Sequence, residues 1–193
     1  PGPRPIVLRD SDDAWGSDVR AFREVAGEFR LATPAEAAVI CGVRTAELAP
    51  VRVIEDGDVR TVVEAVFVYG GSQLVVTYDL PGHGAEIRVR VRVIWTEKRA
   101  MLKLALPVRD EYLGRFLGQT AFGVQPLPAN GDEAVAQRWV GLAGDRGGEA
   151  GPDRARALTV VNDGTYGSSL EQNELRLTLL RSPAYSGLPA EGG

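Results

Sequence analysis

The chain has 193 residues, 44% of them hydrophobic, and a net charge of −4 from 22 Lys and Arg against 26 Asp and Glu. That length buries a core without staples, the single cysteine, Cys41, excludes an internal disulfide, and the acidic balance argues against DNA or RNA as a partner. No apolar run approaches the roughly 20 residues of a membrane span and no charged, then apolar, leader opens the chain, so the expectation is a soluble protein of a reducing cytoplasm with no membrane partner.

The opening Pro1-Gly2-Pro3-Arg4-Pro5 has no initiator methionine, and the only methionine is Met101; such a beginning reads as a cut or processed end. Asp12 and Asp13 read as turn and cap, because neighbours on a strand point to opposite faces and do not make an acid and base pair. Trp15, Val19, Phe22, Val25, Ala26 and Phe29 recur at three- and four-residue intervals. That spacing predicts a short helix over residues 18–26, with Asp13 or Ser17 able to cap it, inside an irregular or helical lead-in that covers residues 1–50.

From residue 51 to 180 the signal changes to period-two alternation broken by turn residues, which marks half-buried strands. Residues 58–69 are long enough for one strand. Ile87, Val89, Val91, Val93 and Trp95 alternate with Glu86, Arg88, Arg90 and Arg92, so one face is expected in the core and the other wet. Leu102, Leu104 and Leu106 repeat the pattern, as do Leu175, Leu177 and Leu179. Gly70-Gly71-Ser72, Pro81-Gly82-His83-Gly84, Pro128-Ala129-Asn130-Gly131 and Asn162-Asp163-Gly164 supply turn chemistry, the last as a hairpin. Residues 141–156, rich in Gly, Asp and Arg, read as a mobile surface loop, and residues 186–193 as a fraying end. The fold class is all-β: one antiparallel β-sandwich domain over residues 1–193, with its core in 51–183 and a short N-terminal helix.

The chemistry is limited by what is missing. A zinc site takes three or four His, Cys or carboxylate ligands, and the chain offers one histidine, His83, in a turn, and one cysteine, Cys41. A nucleophilic triad would have to use that same histidine, and no Gly-x-Ser-x-Gly elbow is present. Gly141, Gly144, Gly147 and Gly148 lack the strand-to-helix context of a phosphate cradle. Arg88, Arg90 and Arg92 form a basic stripe that suits an anion, but alternate charges on a sandwich strand are read here as the solvated face.

Several segments in order resemble the C-terminal domain of the α-mannosidases of glycoside hydrolase family 38, bacterial type. They are Asp10-Ser11-Asp12-Asp13-Ala14-Trp15-Gly16, Gly27-Glu28-Phe29, Val53-Ile54-Glu55-Asp56-Gly57, Val93-Ile94-Trp95-Thr96-Glu97 running into Met101-Leu102-Lys103-Leu104, and Phe122-Gly123. The most specific are Val161-Asn162-Asp163-Gly164-Thr165-Tyr166-Gly167 and Leu177-Thr178-Leu179-Leu180-Arg181-Ser182-Pro183. The chain departs from the family at Val124-Gln125-Pro126-Leu127-Pro128, at Ala134-Val135-Ala136 ahead of Gln137-Arg138-Trp139-Val140, and in a longer loop over residues 144–153.

The resemblance implies a supersandwich of the galactose-mutarotase-like kind, set behind an α/β barrel that holds zinc and the aspartate nucleophile of a retaining α-mannosidase. It implies no catalytic residue and no metal ligand in this chain, and as partners the enzyme's own N-terminal barrel and a mannose-containing glycan, with homo-oligomers left open. Asn162, Asp163, Tyr166 and Arg181 are the candidates for the edge that faces the barrel or substrate. Arg181 could equally anchor a strand end within the domain, and Tyr166 and Trp95 could be core aromatics. Two alternatives stand beside this reading: a stand-alone carbohydrate-binding module that stacks sugars on Trp15, Trp139 or tyrosines, and a purely structural or oligomerisation domain.

Overall fold

A computed structural model describes residues 2–10, 19–144 and 157–183. Their elements run β1 (Arg4–Arg9), β2 (Val25–Glu28), β3 (Arg30–Leu31), α1 (Pro34–Ile40), β4 (Val51–Asp56), β5 (Arg60–Tyr69), β6 (Ser72–Pro81), β7 (Arg88–Ile94) and β8 (Ala100–Pro107). After a 3-10 turn at Asp110–Tyr112 come β9 (Gly114–Thr120), β10 (Gly123–Pro126), β11 (Ala134–Val135), β12 (Trp139–Gly144), β13 (Ala157–Val161), β14 (Gly167–Glu171) and β15 (Glu174–Ser182). Every strand pairing is antiparallel, as the short turn-rich connections require. The chain divides into two compact units, one drawn from Pro1–Glu28 with Lys98–Gly193 and the other Phe29–Glu97.

In the first unit a six-stranded sheet, ordered β11-β14-β15-β8-β1-β2, faces a four-stranded sheet, ordered β10-β9-β12-β13. Leu170 and Leu175 from the larger sheet meet Phe116, Val140 and Leu142 from the smaller, all buried. This is the expected sandwich: alternate residues of each strand point inward, and each sheet covers the apolar face of the other.

The second unit is one sheet with a helix on it. β5 pairs β6 over ten residues, from Arg60 opposite Pro81 to Tyr69 opposite Ser72, and Gly70 and Gly71 form the two-residue turn between them. β7 lies beyond β6, while β3 and β4 share the other side of β5. Ala37 of α1 is buried in one cluster with Ala32, Val66 and Val75. Phe29 packs on Tyr69 and Trp95, with ring centroids 5.6 and 6.5 Å away.

Four expectations need correction. The short N-terminal helix exists, but it is α1 and does not span residues 18–26: Val25 pairs Leu8 and Glu28 pairs Ile6, so that stretch ends in β2. Phe22 of the supposed stripe packs on Ile6, Leu8, Met101 and Ala105 from a non-helical segment. Tertiary pairing overrides the spacing, and Val25 and Gly27 are poor helix formers in any case. The real start signal is Thr33-Pro34-Ala35-Glu36. The Thr33 hydroxyl accepts from the Glu36 N–H at 3.3 Å, the Glu36 carboxylate accepts from the Thr33 N–H at 2.8 Å, and Pro34 occupies the first turn. Gly42, at φ +67°, ends the helix as its N–H donates to the Val39 carbonyl and that of Val43 to the Ala38 carbonyl.

The irregular lead-in is the second correction, since β1 is an interior strand between β8 and β2, with Ile6, Val7 and Leu8 at most 3% exposed. The third concerns residues 141–144, which belong to β12 and hold the buried Leu142; residues 145–156 of the expected loop lie outside the described residues. The fourth is Asn162-Asp163-Gly164, which is no hairpin: β13 belongs to the four-stranded sheet and β14 to the six-stranded one, so the turn carries the chain across the sandwich. Asp12, Asp13, Trp15 and residues 186–193 also lie outside the described residues.

Candidate functional site

The crossing from β13 to β14 is built by three strand ends that bond one another. The Asn162 N–H donates to the Arg138 carbonyl at 2.8 Å and its side-chain amide to the Gln137 carbonyl at 3.1 Å. Gln119, near the end of β9, fixes the same segment by accepting from the Gln137 N–H on its carbonyl and from the Arg138 N–H on its side chain. The Tyr166 carbonyl accepts from the Ala136 N–H at 3.0 Å. Asn162 is thus a bracket between two connections, and an amide suits it because its side-chain NH2 adds a donor beside the backbone N–H. Its Oδ1 is buried with no hydrogen-bond partner, a polar atom whose desolvation is uncompensated.

Asp163 and Gly164 are exposed beyond the bracket, and Tyr166 is 50% exposed, so it is not a core aromatic. Gly167 closes the turn because a Cβ there would lie 2.8 Å from the Thr178 Oγ1 of the neighbouring strand. Around this turn Val161 and Val135 are 73% and 74% exposed, and Phe122, in the turn after β9, is fully exposed. One end of the sandwich therefore shows large apolar side chains beside polar turn residues.

Arg181 belongs to the same end of the six-stranded sheet, since β15 runs antiparallel to β14 and passes Gly167 before reaching it. Its guanidinium grips the Asp10 carboxylate with both arms, Nε on one oxygen and Nη2 on the other at 2.9 Å, and lies 5.3 Å from the centre of the Phe22 ring. Asp10 is fully buried and Arg181 has 22% of its side chain exposed. A planar fork is the group that can satisfy both carboxylate oxygens at once and still stack on an aromatic ring. These contacts tie the end of β1 to the end of β15 across the start of β8.

Lys103 is the functional-network residue that sequence patterning does not single out, although a lysine inside Met101-Leu102-Lys103-Leu104 interrupts an apolar strand. It is fully buried, and its ammonium donates to the Glu133 carboxylate and to the Ser169 hydroxyl, the latter at 3.1 Å. Burial pushes the Lys103 pKa down, while Glu133 pulls it back up and Arg176 pushes it further down. Arg23 covers the same sheet face, bonding Glu171 at 2.7 Å and the Asn130 carbonyl at 3.1 Å. The network orders the connection that carries Glu133.

A zinc ion does not fit the described residues, which contain no group of three or more His, Cys, Asp and Glu able to hold a metal. His83 is exposed in the β6–β7 turn, and Cys41 sits beside Glu64 and Arg52. No helix among the described residues is long and apolar enough to cross a membrane.

Among curated proteins none matches the chain. The family model of the glycosyl hydrolases family 38 C-terminal domain matches residues 29–187, which takes in the whole Phe29–Glu97 unit, the β13–β14 turn and Arg181. The all-β sandwich agrees with the fold that the sequence resemblance implied, and the turn and arginine that carried it fall inside the match. The chain belongs to glycoside hydrolase family 38, as a C-terminal domain of that family.

Proposed function

We propose that this chain is the non-catalytic C-terminal domain of an α-mannosidase that hydrolyses α-linked mannose with retention of configuration. The family match over residues 29–187 is the observation that carries the proposal. A retaining glycosidase works with two carboxyl groups about 5–5.5 Å apart, one as nucleophile and one as acid and base. The carboxylates near the candidate turn are differently placed: Asp163 is exposed, and Asp10 is fully buried and held by Arg181. The catalytic pair and the zinc are assigned to a barrel elsewhere in the same polypeptide.

In this reading the residues of this chain support and orient. Asn162 brackets the strand ends, Arg181 locks β15 onto β1, and Asp163 and Tyr166 project from the resulting rigid end toward the barrel or the mannose-containing glycan. The exposed Phe122, Val135 and Val161 beside them suit an apolar contact with that barrel. The single cysteine, compatible with a reducing compartment, supports a cytoplasmic enzyme.

The test is an assay of the native polypeptide, captured from its source cells with an antibody against this chain, on aryl α-mannosides, with the anomer of the released sugar followed by NMR. Release of α-mannose, and not of α-glucose or α-galactose, by the native polypeptide but not by this chain alone supports the proposal. Binding of mannosides by this chain alone, with no hydrolysis by the native polypeptide, would replace it with a carbohydrate-binding module centred on Tyr166.

A further inference from the structure

β7 combines three features that the enzyme reading does not use. It is an edge strand of seven residues: among the described residues only β6 pairs with it, so alternate N–H and C=O groups along its outer side have no strand partner. Arg88, Arg90 and Arg92 project to one face, at the positions opposite Asp79, Thr77 and Val75 of β6. All three are exposed and none has an ion pair among the described residues. Three acidic residues of that face are already taken, Glu64 by Arg52 and both Asp79 and Glu55 by Arg60; Glu86, exposed two residues before Arg88, has no ion pair among the described residues and leaves the stripe a net positive charge.

The stripe ends at an apolar pocket. Ile94, 59% exposed, follows Arg92 on the same face and lines a shallow hollow of about 320 Å³ with Ile40, Cys41, Gln73 and Val75. On the opposite face of β7, Val89, Val91 and Val93 are each partly exposed. The strand thus offers a backbone edge, cations at every second position about 6.8 Å apart, an apolar hollow at its C-terminal end, and apolar residues behind.

We propose that β7 is a docking edge for an extended acidic peptide segment of another protein, which adds as an antiparallel strand. Acidic side chains at alternate positions lie over Arg92, Arg90 and Arg88, an apolar side chain at its N-terminal end enters the hollow by Ile94, and β-branched residues alternate over the valines. Backbone hydrogen bonds hold the segment and the alternation selects it. A second copy of this chain is excluded from the same edge, because antiparallel pairing of β7 with itself sets arginine against arginine. The charge that blocks self-pairing is the charge that selects an acidic strand. A polyanion such as RNA would use the arginines but neither the backbone edge nor the hollow.

The experiment measures anisotropy of a labelled peptide, Leu-Thr-Glu-Val-Glu-Thr-Glu, on the full chain. Saturable binding is expected, weakened at least tenfold by the triple change Arg88→Ala, Arg90→Ala and Arg92→Ala, by N-methylation of alternate peptide amides, and by moving the three glutamates to adjacent positions. The substituted arginines are exposed, and circular dichroism of the triple variant is expected to match the parent. Equal binding of the N-methylated or rearranged peptide would show charge attraction without strand addition and overturn the proposal. So would absence of peptide binding, or binding of a poly-uridine probe in its place.

Discussion

The C-terminal end of β15 and the whole of β7 both carry arginine and use it in opposite ways. Arg181 lies against a fully buried carboxylate and an aromatic ring, whereas Arg88, Arg90 and Arg92 are exposed with no ion pair among the described residues. The difference comes from neighbours far away in sequence: Asp10 is 171 residues from Arg181, while Glu64 and Asp79, on strands beside the β7 stripe, are spent on Arg52 and Arg60. Buried pairs of this kind fix which segments lie together, and exposed charges fix what the surface attracts or repels.

Breaking the buried side of that comparison should have the largest effects. Glu133→Ala leaves the Lys103 ammonium buried with only Ser169 as a hydrogen-bond partner, and the loss of stability in urea titration should be about 3–5 kcal/mol. The double change Lys103→Met with Glu133→Ala should recover much of it, since an apolar pair carries no charge to desolvate. Arg181→Ala strips two charge-assisted hydrogen bonds from Asp10 and should cost about 2–3 kcal/mol. Arg181→Lys should fall between, because an ammonium cannot satisfy both carboxylate oxygens in the plane of the fork. Loss of activity in an Arg181 variant of the intact enzyme would therefore mix folding with function; Tyr166→Ala, at an exposed position, separates the two.

Smaller effects belong to the exposed side. Thr33→Ala removes the cap of α1 and should cost about 1 kcal/mol. Acid should sharpen the same region. Glu36 is pulled from 4.5 to about 2, first by Arg30 and then by the Thr33 N–H. Its carboxylate is favoured in the folded state, so its contribution is complete above about pH 4.5 and is lost as the pH falls toward 2. Glu55, held down chiefly by Arg60, and Glu174, held down by Arg176 and Arg4 against the cost of its burial, lose theirs in the same direction. Urea midpoints at pH 5 and pH 3 should differ less in Arg30→Ala than in the parent; an identical difference would remove Glu36 from this account.

Local chemistry was legible in the sequence wherever the deciding contact is local. Alternation found β5, β7, β8 and β15, and Gly70-Gly71 found the tight turn between β5 and β6. The stripe through Val19, Phe22 and Val25 was misleading because β2 is decided by Ile6 and Leu8 across the sheet, while the capping box at Thr33 was present and unread. Turn residues at Asn162-Asp163-Gly164 marked a bend but could not say that the strands on either side join different sheets. Of the candidate site, the bracket role of Asn162 depends on Gln137 and Arg138, and the lock on Arg181 depends on Asp10; neither pairing leaves a trace in spacing.

The central claim is that this domain works as part of a larger α-mannosidase polypeptide, and the mass of the native gene product, detected in source cells with an antibody against this chain, tests it most directly. A polypeptide several times 20.7 kDa is the expected result and would direct the search for the two catalytic carboxylates to the added sequence. A product near 20.7 kDa would contradict the claim and move the binding-module reading to first place.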